Sequence, residues 1–209
     1  MSISCCGRRP RGTSHAPGLR SCHHGSRRRA AEIATPSSGG NRVSRVQARI
    51  ELSAQLSALV EPHRQRWNPE RARRNPAHVT VVYHDEAPLP GLLRDRLAAA
   101  VSQLPVFELA LGLPRRFLLP AAGVFLEVTD PAGAIARLRE QVLREPFHPR
   151  TAFGLHVTIL HPDYAHRMPE AWPELSQLRP SGSMQVAEIS LIGPSNEPIE
   201  RFPFSERSG

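Results

Sequence analysis

The tripeptide His-Val-Thr occurs twice, as His78-Val79-Thr80 and His156-Val157-Thr158, and each copy runs on into a β-branched residue, Val81 and Ile159. Such residues suit a strand, and in a strand residues i and i+2 share a face. Each triplet therefore aims its imidazole and hydroxyl one way and its valine the other, into a core. The copies lie 78 residues apart, one in each half of the apolar part of the chain. If the halves fold alike and face each other, two imidazoles and two hydroxyls converge on one cleft. With 10 His and 6 Thr among 209 residues, composition alone gives about 0.3 His-x-Thr triplets, the background against which such motifs are weighed. One copy would mean little; two at equivalent places in two half-domains mean more.

Net charge draws attention away from this pair. The chain carries +8, yet residues 1–45 hold nine arginines and one acid, Glu32, while the rest holds 18 arginines and 18 acids. The basic character belongs to the tail, so the folded part presents no global field for long nucleic acid. Residues 1–42 are rich in Arg, Gly, Ser and Pro and cannot bury enough surface to offset ordering entropy, so they are expected to be disordered. They lack the apolar core of a secretory signal; a transit peptide or a misassigned start codon would each account for them. Cys5, Cys6 and Cys22 all fall in this tail, as does Cys22-His23-His24, a weak metal pattern. The region 43–209 has no cysteine and no long apolar run, and is expected to be one monomeric, cytoplasmic domain without a membrane span.

Periodicity orders that domain. Val46 to Leu52 reads as a strand, with Gln47, Arg49 and Glu51 on its polar side. Ser53 caps a helix that Pro62 ends or kinks, and His63 to Pro76 is polar with Trp67 its anchor. Ala77 to Tyr83 is the first triplet strand, and a helix follows from Pro90. Phe107 to Leu111 is a strand, turned at Gly112 and Pro114 before Arg116 to Leu119 extends again. Val124 to Thr129 is a strand, Asp130-Pro131 starts a helix, and Phe153 to Leu160 is the second triplet strand. A short helix is expected over Ala171 to Leu178, one strand over Val186 to Ile192, and a last strand over Ile199 to Phe204. Strand–helix–triplet strand thus appears twice, an α+β pattern with antiparallel or mixed sheets.

The triplets in this setting resemble the 2H phosphoesterases, which include the 2′-5′ RNA ligase-like cyclic phosphodiesterases. Asn75-Pro76-Ala77-His78-Val79-Thr80-Val81 is similar to the first family motif, and Gly154-Leu155-His156-Val157-Thr158-Ile159 to the second. Members often place Pro before the second His, where this chain has Leu155; many follow the first motif with a Phe-Leu-Gly-like run, where Tyr83-His84-Asp85-Glu86 stands here. The resemblance spans roughly residues 43–204. It implies a bilobal, pseudo-symmetric fold in which two sheets form a central cleft with helices packed outside. It also implies His78, Thr80, His156 and Thr158 as catalytic residues, no cofactor or metal, and as partner an RNA 2′,3′-cyclic phosphate end or a small cyclic nucleotide.

Two histidines flanking a phosphodiester serve as base and acid. On a 2′,3′-cyclic phosphate one would activate water and the other protonate the departing ribose oxygen, leaving a 2′-phosphate. Thr80 and Thr158 would donate to the non-bridging oxygens. In reverse, with an RNA 5′-hydroxyl, the site would make a 2′-5′ bond. Further candidates for substrate contact are His84, His148, Arg150 and Phe153, with Arg115 and Arg116 for a second phosphate; His161, five residues from His156, would face away. Two other readings compete. One is a catalytically idle module that binds an RNA end or nucleotide in the same cleft. The other is a metallohydrolase using His78, His84, His156 and His161, disfavoured because no carboxylate recurs at fixed spacing from both triplets.

Overall fold

The computed structural model describes residues 45–117 and 122–206. The expectations for the basic tail, its cysteines and Cys22-His23-His24 lie outside the described residues, as does the end of the Arg116 to Leu119 segment.

The first sheet is built from Gln47–Glu51 (β1), His78–Val82 (β2), Glu188–Ile192 (β7) and Pro198–Pro203 (β8), in the order β2-β1-β7-β8. The second is built from Phe107–Arg116 (β3), Val124–Thr129 (β4), His156–Leu160 (β5) and Ser183–Val186 (β6), in the order β5-β4-β3-β6. Every ladder is antiparallel. The fold is α+β with two four-stranded sheets, and each triplet strand occupies an edge. These two edges, β2 and β5, meet one another.

Repetition is closer in register than in sequence. His78 pairs with Glu51 and Val79 with Ile50 across β2 and β1; His156 pairs with Glu127 and Val157 with Leu126 across β5 and β4. A bulge follows at the same place in both ladders, between Ala48 and Arg49 and between Val124 and Phe125. Bulges add twist and re-aim side chains. Val79, Val81, Val157 and Ile159 are all fully buried, as period-two alternation requires.

The helices are Ala54–Trp67 (α1), Pro69–Arg74 (α2), Pro90–Val101 (α3), Ala134–Val142 (α4) and Met168–Leu175 (α5), with a 3₁₀ turn over Pro162–Arg167. The helix that follows β1 packs against β5, and the helix that follows β4 packs against β2. Each half thus lends its helix to the other.

Several boundaries differ from expectation. α1 passes through Pro62 to Trp67, because its later turns are secured by tertiary contacts. Trp67 is buried, and Arg64 donates to Glu61 and, at 2.8 Å, to the Asn75 carbonyl. Ser53 Oγ accepts from the Leu56 N–H as expected of a cap. Leu56 and Val60 of α1 are buried, while Leu59 is 43% exposed. Gly112 and Pro114 make a bulge within one strand rather than a turn. The Asp130 carboxylate does cap, accepting from the Ile135 N–H at 2.7 Å, but α4 starts only at Ala134, after Gly133 at φ 64°. The segment read as one strand over Val186 to Ile192 is two, which belong to different sheets and are separated at Ala187. The expected helix over Ala171 to Leu178 starts earlier, at Met168, and ends at Leu175.

Candidate active site

His78 and Thr80 stand on the face of the first sheet opposite the buried valines, and His156 and Thr158 on the corresponding face of the second. All four are half-buried. Because β2 meets β5, the two strands that carry the triplets come together where the sheets join.

The imidazoles are anchored alike. His78 Nδ1 lies 2.7 Å from the Pro76 carbonyl, and His156 Nδ1 lies 2.8 Å from the Gly154 carbonyl. A carbonyl only accepts, so each Nδ1 carries the proton and each Nε2 presents its lone pair. The preceding backbone is held by matching bonds. The Leu52 N–H donates to the Ala77 carbonyl, and the Val128 N–H to the Leu155 carbonyl. The Ala77 N–H also donates to Glu61 at 2.6 Å.

Burial pushes the His78 pKa down to about 4; the Arg49 and Arg64 charges push the same way, while the Pro76 bond and Glu51 oppose. Burial also lowers the His156 pKa, with a contribution from Arg150, against the Gly154 bond. Both shifts favour the neutral form of the ring.

Carboxylates that do not recur at fixed sequence spacing do recur in space. Glu51 stands across the ladder from His78 and Glu127 across from His156. Each is taken up by an arginine, Glu51 by Arg49 and Glu127 by Arg115, both at 3.0 Å. Beyond the carboxylates the lobes diverge. Around His156 lie two aromatic rings, Phe117 at 5.3 Å and Phe125 at 5.2 Å between centroids. Opposite Thr80, where the second lobe has Phe125 opposite Thr158, the first has Arg49. Gly123 is required behind this wall, since a Cβ there would lie 2.6 Å from the Leu160 carbonyl and 2.9 Å from the Phe117 ring.

The secondary candidates are scattered, with Arg115 alone beside the triplet ladder, opposite Phe125. His84 is exposed beyond the far end of β2, beside a cavity of about 160 Å³ with Arg45, Gln47 and Asn196. His161 Nδ1 accepts from the Asp163 N–H at 3.2 Å and caps the 3₁₀ turn. Among the described residues no group of three or more His, Cys, Asp or Glu is placed to hold a metal ion, so the four histidines of the metallohydrolase reading are not gathered. His148 is exposed and bonded through its backbone to Glu86. Arg150 stacks on Tyr83 with 3.7 Å to the centroid and pairs with Asp85 at 2.9 Å. Phe153 lies under Arg139 at 3.5 Å. Arg115 is held by Glu127, and Arg116 lies over Trp172 at 4.9 Å.

Glu51, Glu127, Arg49, Phe117 and Phe125 were absent from the predicted site. Strand parity was the available signal for β1. Gln47, Arg49 and Glu51 share the face of the triplet residues, a face the sequence reading gave to solvent.

The sequence model of the 2′-5′ RNA ligase superfamily matches residues 50–197, a stretch that holds both triplets and both facing carboxylates. No curated protein matches the chain by sequence. In shape, a crystal structure of a phosphoesterase is similar with a TM-score of 0.56 at 20% identity, covering 78% of this chain and 99% of that one. E. coli LigT complexed with NADP+ is similar at 0.54 and 20% identity, covering 78% and 98%. LigT complexed with 3′-AMP is similar at 0.53 and 19% identity, covering 78% and 99%. At these identities the likeness is one of fold. The match over residues 50–197 and the duplicated architecture agree, and the chain belongs to the 2′-5′ RNA ligase superfamily.

Proposed function

We propose that the junction of β2 and β5 is a metal-independent phosphodiester site, with His78 and His156 as its base and acid and Thr80 and Thr158 as its phosphoryl-oxygen donors. The observation that carries this reading is the matched anchoring of the two rings. Each Nδ1 is committed to a backbone carbonyl two residues back, so each Nε2 is left to exchange a proton. A hydroxyl two residues on, along the same face, accompanies each ring.

The substrate class follows from that set. On a 2′,3′-cyclic phosphate, water attacks phosphorus as one neutral Nε2 takes its proton. The bond from phosphorus to the ribose 3′-oxygen breaks, and the other ring, protonated, delivers a proton to that oxygen. The product is a 2′-phosphate with a free 3′-hydroxyl. The substrate's negative charge favours the imidazolium it meets, which counters the burial that favours the neutral form of the rings. An RNA 5′-hydroxyl in place of water gives a 2′-5′ linkage. Phe117 and Phe125 beside His156 give a heteroaromatic base a surface to stack on. Nucleotides are ligands of a relative: E. coli LigT is known in complexes with 3′-AMP and NADP+.

The test is hydrolysis of a 2′,3′-cyclic nucleotide in excess EDTA, wild type beside His78→Ala and His156→Ala. Turnover that survives EDTA and is lost in both variants is expected. Loss with EDTA points to a metal enzyme, no turnover of any cyclic or 2′-5′ substrate to a binding module, and unchanged turnover in both variants to a different site.

A further inference from the structure

Arg49 is buried in a way the fold does not require. It lies in β1 with Thr80 of β2 on one side and Ser190 of β7 on the other, and it is 2% exposed. One terminal nitrogen donates to Glu51 at 3.0 Å. Among the described residues its Nε and its other terminal nitrogen have no partner. A guanidinium stays charged at any physiological pH, and buried donors without acceptors weigh against the folded state. The duplicated half shows the alternative: at the matching place, opposite Thr158 and beside the same kind of bulge, stands Phe125. An apolar ring therefore satisfies the architecture there. Something other than folding accounts for a fork-shaped cation next to one of the two threonines.

We propose that Arg49 is an anion-binding residue of the cleft, which takes phosphoryl oxygens beside Thr80 and so fixes the substrate in one orientation, phosphate toward the first lobe and base toward Phe125. This rests on reading the cleft as a phosphodiester site. A phosphoryl group supplies the missing acceptors, and the planar fork suits two of its oxygens at once. Glu51 is the internal competitor, because it already holds one terminal nitrogen. An anion on Arg49 would also mask the charge that now helps keep His78 neutral.

The experiment measures the Kd of inorganic phosphate and the melting temperature for wild type, Arg49→Met and Glu51→Gln, with turnover of a 2′,3′-cyclic nucleotide by wild type in parallel. Arg49→Met is expected to melt no lower than wild type and to bind phosphate at least tenfold more weakly. Glu51→Gln is expected to bind it more tightly, since the guanidinium is released. If Arg49→Met does not fold, Arg49→Lys decides: it keeps a point charge, loses the fork, and is expected to bind phosphate several-fold more weakly. Phosphate affinity equal to wild type in the folded arginine variant overturns the inference, as does Glu51→Gln binding more weakly than wild type. The two readings fail separately. Wild-type turnover with phosphate affinity indifferent to Arg49 removes this inference alone. Arg49-dependent phosphate binding without turnover removes the phosphodiesterase reading alone.

Discussion

Arg139 of α4 donates to both carboxylate oxygens of Glu86, at 2.7 and 3.1 Å. Glu86 is fully buried and also accepts from the Tyr83 N–H at 2.9 Å and the Arg150 N–H at 2.8 Å. Arg139 in turn donates to the Val81 carbonyl of β2. One carboxylate thus ties the end of the first triplet strand to α4 and to the segment that leads into the second. Removing it would strand a buried guanidinium, and breaking such a pair costs about 3–5 kcal/mol. Glu86→Ala is expected to lose that much in urea denaturation. Burial pushes the Glu86 pKa up, but the bonds from Arg139, Arg150 and Tyr83 together hold it below its ordinary 4.5. The carboxylate therefore stabilises the fold fully above pH 4.5, and its contribution fades as pH falls through the lower native value. Glu86→Gln should flatten stability against pH in that acid range.

Two lowered histidines set the pH dependence. Whichever ring is the base, the fraction of enzyme with one ring neutral and one protonated peaks between the two pKa values. His78 lies at about 4 and His156 below 6.5. The profile of kcat/KM is expected to be bell-shaped with its maximum on the acid side of pH 6.5. The profile of kcat should sit higher, because bound phosphate favours the protonated ring. A rate flat from pH 5 to 9 would exclude the two-histidine mechanism.

The threonines are separable from the histidines. Thr80→Val and Thr158→Val keep β-branching and volume, so stability should change little. Loss of one donor to a developing phosphoryl charge is expected to lower kcat about 10²-fold, with KM less affected. Single-turnover kinetics on a cyclic nucleotide measure this. Either hydroxyl proving dispensable would assign that lobe a holding role only.

Phe125→Leu retains an apolar side chain opposite Thr158 and removes the ring that faces His156. Stacking of a base on an aromatic side chain is worth about 1–3 kcal/mol. KM for a cyclic nucleotide should rise roughly thirtyfold at the middle of that range. Inorganic phosphate, which has no ring, should bind the variant as it binds wild type.

The triplets were legible because strand parity and β-branching act locally. His78 with Thr80 and Val79 with Val81 take opposite faces whatever surrounds them. Other features were hidden because tertiary partners decide them. Pro62 reads as a helix end, yet Arg64 and Trp67 pack so well that α1 continues past it. Arg49 and Glu51 read as solvated because parity distinguishes two faces but not which is covered by the rest of the molecule. From their place before the second triplet, Arg150 and Phe153 could as well touch substrate as lie at the surface or core edge. Tyr83, Asp85 and Arg139, remote in sequence, claim them for the strap around Glu86. The change of sheet at Ala187 shows in the sequence only as a slip of phase, the buried apolar positions passing from Met184 and Val186 to Ile189 and Leu191.

That change of sheet has a temporal consequence. β1 is flanked by β2 and β7, so one of its two ladders needs a strand made near the end of the chain. At ribosomal speeds of about 5–20 residues per second, the roughly 140 residues between them take on the order of 7–30 s to emerge. Through that interval β1 presents an unpaired edge, the kind that templates pairing with other chains. The segment from Glu188 to Pro203 therefore works as a closing stitch for β1, and a nascent chain stalled before Glu188 would carry both His-Val-Thr strands on an unfinished frame.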